Sequence, residues 1–330
     1  MLTREDVRKA ALRLYDFCEN PAVRYAVFFR LLDTPYEDET LARLRPPFLE
    51  SGIVEELAEE QDYNGGWGPL QSKDYSQKAR FPTSTVAINR CLYIGLTIED
   101  RDILIRAYEY LEDFLKGTSR EKLYNKNERA VPWQTARICE MIEAVKPGNS
   151  LCDRTCGEWL YIASRAYEDG EYSYERDRKA QHELFWTKED RLVPMQSGLL
   201  LKRRGELPPG LEEAMLRHLG GHAARHGWFW DKTPDKLPED FVCGKSRRWF
   251  HTFNYINQFR GSALFLSAAA EWLMERQNTD GLWDWGPQTK DPWGYFGYFS
   301  TARGDTHTRT VDCTMEVLSF LKTYLDHNEN

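Results

Sequence analysis

Two segments with the pattern Gln-x-x-x-Gly-x-Trp decide the fold: QDYNGGW at residues 61–67 and QNTDGLW at residues 277–283. The similarity extends to the preceding residues, where Leu57 and Leu273 occupy equivalent positions. A leucine, a glutamate, a glutamine, a glycine and a tryptophan thus recur in one register, which is difficult to obtain by chance. The chain therefore contains an internal repeat.

Each copy continues through a similar loop into a helix-forming segment. A Gly-Pro pair follows the tryptophan in both copies, and the helical pattern starting near Thr85 aligns with the pattern at Thr314. The predicted repeat unit is a helix, a Gly/Trp loop and a second helix. Its clearest copies span residues 52–96 and 264–326.

The pattern between and around these copies predicts an all-helical fold. Alternating β-branched runs bounded by tight turns are absent, and Pro/Gly clusters separate helical segments. A helix pair cannot bury its apolar face alone, so about five pairs must stack into an open solenoid or a closed ring. We favour the ring because the strongest copies lie far apart in sequence. The expectation is one all-α domain over residues 1–330, an α/α toroid with N-terminal helices in residues 1–50.

Composition excludes several functional classes. The formal net charge is −8 with both signs mixed along the chain, so no nucleic-acid partner is expected. The most apolar stretch, residues 262–273, is too short to span a bilayer and leaves at most peripheral membrane contact. The N-terminal residues resemble an amphipathic helix and not an export signal. Seven scattered cysteines suit buried thiols in a reducing compartment, so the expected location is cytoplasmic.

The Gln-x-x-x-Gly-x-Trp pattern resembles the Gln/Trp repeats of the terpenoid cyclase and protein prenyltransferase superfamily, whose members fold as α/α toroids. Physically, the glycine permits the turn, the tryptophan fills the gap between helix pairs, and the glutamine amide can bond backbone at a helix end. We interpret these residues as structural. The resemblance implies a hydrophobic isoprenoid as the small-molecule partner.

Residues 312–316 read Asp-Cys-Thr-Met-Glu and resemble the Asp-Cys-Thr-Ala-Glu motif of oxidosqualene cyclases, departing at Met315. By this resemblance, Asp312 would protonate an epoxide or alkene, and Cys313 would be a neighbour that hydrogen-bonds it. Squalene-hopene cyclases have Asp-x-Asp-Asp at this place. Thr310 stands where their first aspartate would be.

The repeat provides an internal comparison for this motif. The first copy has Thr83-Ser84-Thr85 where the last has Asp312-Cys313-Thr314, so the scaffold does not need the aspartate. Asp312 and Glu316 are four residues apart on one helix face, and two carboxyl groups so close raise the pKa of one of them. A proton retained at neutral pH is what alkene protonation requires. The alternative is that Asp312 caps a helix N-terminus.

The loop before Asp312 is longer than its counterpart and rich in aromatic residues, whose faces can stabilise a carbocation. Core packing is the alternative for each ring. Arg309 is a candidate for holding a diphosphate. The substrate-binding candidates are Trp285, Trp293, Tyr295, Phe296, Tyr298, Phe299 and Arg309.

Other classes of toroid stay open. A prenyltransferase-like protein would bind zinc through Asp312, Cys313 and His307 or His251, but adjacent helical residues point about 100° apart and would not share one tetrahedral ion. A non-catalytic toroid would bind an isoprenoid or a partner without reaction.

A carbohydrate-active toroid would need paired carboxylates beside aromatic platforms, for which Asp280, Asp284 and Asp291 are candidates.

The sequence thus favours a terpenoid cyclase-like isomerase or lyase that starts cyclisation by protonation, the class II type. Its catalytic candidates are Asp312, Cys313 and Glu316, and neither a cofactor nor a metal is expected. Triterpene cyclases of this type enclose the substrate between two toroids, whereas this chain has length for one. A homodimer would supply the second wall.

Overall fold

The structure, a computed structural model, describes residues 2–71, 81–119, 131–185, 194–222, 236–238, 244–286, 299 and 305–328. Side chains at 194–197, 222, 244–248 and 251 are outside that description. Regular secondary structure in these ranges is entirely helical, which confirms the all-α class.

The helices follow one another along the chain, with short 3-10 turns at Ser150–Cys152 and Arg204–Glu206 and a π-helical turn at Val27–Leu31. The α-helices are α1 (Arg4–Phe17), α2 (Pro21–Ala26), α3 (Glu39–Leu49), α4 (Gly52–Glu59), α5 (Ser84–Ile94), α6 (Asp102–Lys116), α7 (Val131–Val145), α8 (Asp153–Ala166), α9 (Tyr174–Phe185), α10 (Pro194–Lys202), α11 (Leu211–His222), α12 (Gly244–Ile256), α13 (Ala263–Met274) and α14 (Thr306–Asn328).

Local sequence explains where α1 begins and which face it buries. The Thr3 side chain accepts a hydrogen bond from the Asp6 N–H, and the Asp6 carboxylate accepts one from the Thr3 N–H, forming a capping box. Val7, Ala10 and Leu14 are buried at helical spacing. The helix therefore presents one apolar stripe to its neighbours.

Backbone contacts divide the chain into two compact units. The first contains Met1–Glu55, Tyr93–Gly95 and Leu219–Asn330, and the second contains Glu56–Leu92 and Leu96–His218. The repeat loop at Trp283 belongs to the first unit and the loop at Trp67 to the second. The single domain over residues 1–330 stays a prediction.

In the first unit, the N-terminal helix α1 packs against the C-terminal helix α14. An ion pair joins Arg4 Nη1 to Asp326 Oδ1 at 2.8 Å. At the other end of α1, the Phe17 ring stacks on His307 with centroids 4.7 Å apart. The two ends of the chain are thus held together within this unit.

In the second unit, a buried ion pair links the end of α10 to α7. Arg203 Nη2 lies 2.7 Å from Glu143 Oε1, and the two side chains are 11% and 1% exposed. Arg203 also donates to the carbonyl oxygen of Asn149 at 2.8 Å. Since removing one member would leave a buried charge uncompensated, this pair fixes how the helices meet.

The two predicted repeat loops have the same tryptophan hydrogen bond. The indole N–H of Trp67 donates to the Leu57 carbonyl oxygen at 2.9 Å, and that of Trp283 donates to the Leu273 carbonyl oxygen at 2.7 Å. Both indoles are almost completely buried. The internal repeat is therefore confirmed as a repeat of three-dimensional structure.

Both glutamines bond backbone, but only Gln61 bonds it at a helix end, as the sequence predicts. Gln61 Nε2 donates to the Gly65 carbonyl oxygen at 2.8 Å, and Gln277 Nε2 donates to the Gly281 carbonyl oxygen at 2.9 Å. In the first copy the same amide also donates to the carbonyl oxygen of Ile103, in the first turn of α6. The glutamine thus closes the loop on itself and, in this copy, ties it to a neighbouring helix.

A hydroxyl group sets the register of the helix that follows each loop. The backbone N–H of Trp67 donates to Ser84 Oγ at 2.8 Å, and that of Trp283 donates to Thr314 Oγ1 at 3.0 Å. Ser84 therefore corresponds to Thr314, and the sequence alignment of Thr85 with Thr314 is wrong by one residue. The identity of two threonines misled that alignment, because a serine supplies the hydroxyl in the first copy.

In the corrected register, Pro82 occupies the position of Asp312. Proline has no carboxyl group, so the inference that the scaffold does not need the aspartate holds in this register too.

Both loops need a glycine because of its backbone conformation, and the first loop also needs it because of close packing. Gly65 and Gly281 have φ of 88° and 73°, which L side chains rarely adopt. A Cβ atom at Gly65 would overlap the backbone oxygen of Arg106 in α6, and a Cβ at Gly281 would overlap the Arg13 guanidinium in α1. The first loop therefore packs on α6 and the last on α1.

We expect Gly65→Ala to lower the free energy of unfolding by about 3 kcal/mol, because backbone strain of about 1 kcal/mol adds to overlap with a backbone oxygen. Gly117→Ala is the matched control, since Gly117 has φ of 70° but open space around its Cβ position. Urea unfolding followed by circular dichroism measures both. Equal losses would contradict the close packing of the loop on α6.

Candidate functional site

The helix that carries the candidate acid, α14, begins before that residue. Asp305 precedes the helix, and its Oδ1 and Oδ2 accept hydrogen bonds from the Thr308 N–H at 2.8 Å and the Thr308 hydroxyl at 2.7 Å. These bonds lower the pKa of Asp305. Asp312 lies in the second turn of the helix, so Asp305 and not Asp312 is the N-cap.

The last copy of the repeat differs from the first in the length of this helix. In the first copy, α5 begins at Ser84, whereas α14 begins at Thr306, eight residues before the equivalent Thr314. These residues add about two helical turns. Asp312 lies on the added turns and is specific to the last copy.

Asp312 is buried, with 3% of its surface exposed. Its Oδ1 accepts a hydrogen bond from the backbone N–H of Phe299 at 3.1 Å. One carboxyl oxygen is therefore held at the end of the aromatic loop that the sequence associates with substrate.

Cys18, which ends α1, lies near the same carboxyl group. Burial raises the pKa of the Cys18 thiol, and the charge of Asp312 adds to that increase. The N–H of Asn20 donates to the thiol and opposes the shift. A segment distant in sequence thus contributes to the environment of Asp312.

Cys313 is completely buried, and the backbone N–H of Trp285 donates to its sulfur. Burial raises the pKa of Cys313 well above its ordinary value, and the charges of Glu316 and Asp284 act in the same direction. The thiol is therefore protonated at neutral pH, and Trp285 supplies it with a hydrogen bond.

Glu316 is partly buried and lies one turn after Asp312 on α14. Residues at this spacing are neighbours on a helix surface, about 5–6 Å apart at Cβ. The three predicted catalytic candidates thus all lie on α14, with Glu316 one turn after Asp312 and with Cys313 bonded to the Trp285 N–H.

Arg309 is engaged by a carboxylate of the last repeat loop. Its Nε lies 3.2 Å from Asp284 Oδ1 and its Nη2 lies 3.0 Å from Asp284 Oδ2. The side chains are 12% and 19% exposed, respectively. Such two-point pairing is the strongest form of arginine–carboxylate contact. Arg309 would therefore have to break its contact with Asp284 to bind a diphosphate through both nitrogens.

Two residues that the sequence did not suggest are linked to Phe299, Tyr93 by direct ring contact and Arg30 through Tyr93. The Tyr93 and Phe299 rings are 5.7 Å apart at their centroids, and the Arg30 guanidinium lies 4.3 Å from the Tyr93 ring centre. Arg30 belongs to the π-helical turn, a type of distortion that is frequent at functional sites. Sequence offered no signal for these contacts, because the three residues come from three distant segments.

Among the predicted aromatic candidates, Trp285 packs edge-to-face on Phe250 with centroids 5.3 Å apart and is 4% exposed. Phe299 is buried to the same degree. Trp293, Tyr295, Phe296 and Tyr298 lie outside the described residues.

The candidates for the other classes of toroid are described only in part. The His307 Nε2 atom lies 3.3 Å from the Phe17 carbonyl oxygen, and the side chain of His251 is outside the described residues. Within the described ranges, no three His, Cys, Asp or Glu side chains are placed to hold a metal ion. Asp280 is exposed, and Asp291 is not among the described residues.

Comparison of the chain with protein-family models, curated proteins and solved structures finds no match. Over the described ranges, every helix is too short or too polar to cross a membrane.

We expect Asp305→Ala to lower the free energy of unfolding by about 1 kcal/mol, because the Thr308 N–H loses its acceptor. Asp312→Asn is expected to change it by less than about 1 kcal/mol, because an amide oxygen still accepts from Phe299 and a buried ionisable group is removed. Urea unfolding at neutral pH measures both variants. A loss of about 3 kcal/mol or more in Asp312→Asn would assign the carboxyl group to the scaffold.

Proposed function

We propose that this protein is a terpenoid cyclase-like enzyme in which Asp312 starts cyclisation by donating a proton to an isoprenoid alkene or epoxide. One observation carries the proposal: a buried carboxyl group on the two helical turns that the last repeat adds to the shared unit. A buried ionisable group that the scaffold does not require is a candidate for a functional role.

We also propose that the helix pairs close into an α/α toroid. The support is that the last Gly/Trp loop packs on α1 as the first packs on α6, and that α1 packs on α14. In a ring of repeats, no further repeat follows the last one, and the first helix of the chain packs against it instead.

The proposed reaction needs only protein groups, substrate and water. The π electrons of the alkene form a C–H bond with the proton of Asp312, leaving an aspartate and a carbocation. A second alkene attacks the cation and closes the ring, loss of a proton from carbon to water restores a double bond, and water returns a proton to Asp312. Atoms and charge balance as an isomerisation, so the step uses no cofactor.

Named groups would assist each stage. The Phe299 N–H donates to Oδ1 of Asp312 and thereby fixes the orientation of the carboxyl group. The Phe299 and Tyr93 rings offer aromatic faces for the cation. Glu316 lies one turn away and disfavours a second negative charge on Asp312.

The proposed partner is a hydrophobic isoprenoid small molecule, met in the cytoplasm or at a membrane surface by peripheral contact. A homodimer would cover the substrate from the other side. No role for nucleic acid is proposed, since the net charge of −8 gives no attraction to a polyanion.

A non-catalytic isoprenoid-binding toroid is the second candidate. Trp285 and Arg309, two residues predicted to act on the substrate, already contact Phe250 and Asp284, which weighs against a part for them in the reaction.

We expect Asp312→Asn to abolish formation of cyclised product while the protein stays folded, because an amide does not supply the proton. The assay incubates the protein with squalene, oxidosqualene and prenyl diphosphates and identifies products by gas chromatography and mass spectrometry. Asp305→Asn is the matched control on the same helix and keeps activity.

Cyclised product from Asp312→Asn at the wild-type rate would overturn the assignment. Tight binding of an isoprenoid by wild-type protein with no product from any substrate would support the non-catalytic toroid instead.

A further inference from the structure

A positive charge lies close to the proposed acid. Arg309 precedes Asp312 by three residues on α14, a spacing that places the side chains on one helix face about 5–6 Å apart at Cβ. A guanidinium group that neighbours a carboxyl group favours the ionised form of that carboxyl group. If its charge acted in full, it would draw the proton from Asp312.

Asp284 neutralises that charge. Both of its carboxyl oxygens face Arg309, at 3.2 Å from Nε and 3.0 Å from Nη2. Both side chains are mostly buried, so water screens the pair only weakly. Asp284 Oδ1 also accepts from the Gly286 N–H at 2.8 Å, which fixes the carboxylate in the loop.

The comparison of repeats shows that the loop does not require this carboxylate. Asp284 directly follows Trp283, and the residue that directly follows Trp67 is Gly68. The first loop is nevertheless closed by the same tryptophan and hydroxyl hydrogen bonds. Asp284 is thus an addition to the last copy, as Asp312 is.

Some of the other groups around Asp312 favour its ionised form, and others favour its protonated form. The Phe299 N–H favours the ionised form, as does the N-terminal end of α14, to which Asp312 is close. The His307 ring and the Asp305 carboxylate belong to that helix end. On the other side, Glu316 of α14 opposes ionisation and the nearby Cys18 of α1 contributes a neutral thiol. Neutralisation of Arg309 by Asp284 therefore contributes strongly to whether Asp312 is ionised or protonated.

We infer that Asp284 is a positioning residue that neutralises Arg309 and thereby lets Asp312 keep its proton. The inference rests on the proposed function of Asp312 as a general acid.

The test follows the titration of Asp312 in the full chain, with aspartate labelled at the side-chain carboxyl carbon and observed by ¹³C NMR. The Asp312→Asn variant assigns the signal. Asp284→Asn is expected to lower the titration midpoint of Asp312 by about one pH unit, because the charge of Arg309 is no longer balanced. The double variant Asp284→Asn/Arg309→Gln is expected to return to the wild-type midpoint.

Asp62→Asn is the matched control. Asp62 belongs to the first loop, and its Oδ2 accepts from the Gly68 N–H at 2.9 Å, much as Asp284 accepts from Gly286. Removing this charge leaves the Asp312 midpoint unchanged.

A folded Asp284→Asn protein with an unchanged midpoint, or a lowered midpoint that persists in the double variant, would overturn the inference. If Asp284→Asn does not fold, the single variant Arg309→Gln tests the inference. The titration midpoint of Asp312 rises in this variant if the charge of Arg309 acts on Asp312. An unchanged midpoint would overturn the inference.

The NMR titration needs no substrate, so its result is separate from that of the proposed function. If cyclised product is found, the pH dependence of its formation shifts with the same variants. If none is found while the midpoint shifts as expected, the cyclase proposal fails and the electrostatic role of Asp284 stands.

Discussion

The hydrogen bond from a buried indole N–H to a carbonyl oxygen near the end of the preceding helix is the contact on which each clear repeat depends. Carbonyl groups in the last turn of a helix have no partner within the helix, and a buried indole N–H needs an acceptor. Trp67 with Leu57 and Trp283 with Leu273 satisfy both needs at once. Because each indole is fixed, the backbone N–H of the same tryptophan can donate to a hydroxyl group of the next helix.

This constraint explains which parts of the fold could be predicted from sequence. Glutamine, glycine and tryptophan each have one physical role in the loop, so the spacing of the three residues recurs. That spacing predicts the helix–loop–helix repeat and, with it, the all-α class. The alignment of Thr85 with Thr314 was wrong because a hydroxyl, supplied equally well by Ser84, is what the loop selects. The closure of the chain into a toroid depends on contacts between distant segments and stays a proposal.

The candidate site was predictable to a smaller extent. The motif at residues 312–316 pointed to Asp312, Cys313 and Glu316, which the structure places on one buried helix. The surroundings of Asp312 were not predictable, because Cys18, Tyr93 and Asp284 come from a helix end, the first repeat and a loop. No local pattern marks Cys18 or Tyr93, and the pattern around Asp284 suggested a different role, that of a carbohydrate-site carboxylate. The last repeat has a longer helix and two carboxyl groups, Asp284 and Asp312, that the first repeat lacks. The scaffold does not need these additions.

The most direct test of a proton-initiated reaction is to run it in D₂O with an unlabelled acyclic isoprenoid alkene that carries no epoxide, and to locate deuterium in the cyclic product. Asp312 exchanges its proton with solvent between turnovers, so the account predicts one deuterium on the carbon that accepted it. A cyclic product without deuterium at that carbon, or one formed with release of diphosphate as the first step, would contradict the account.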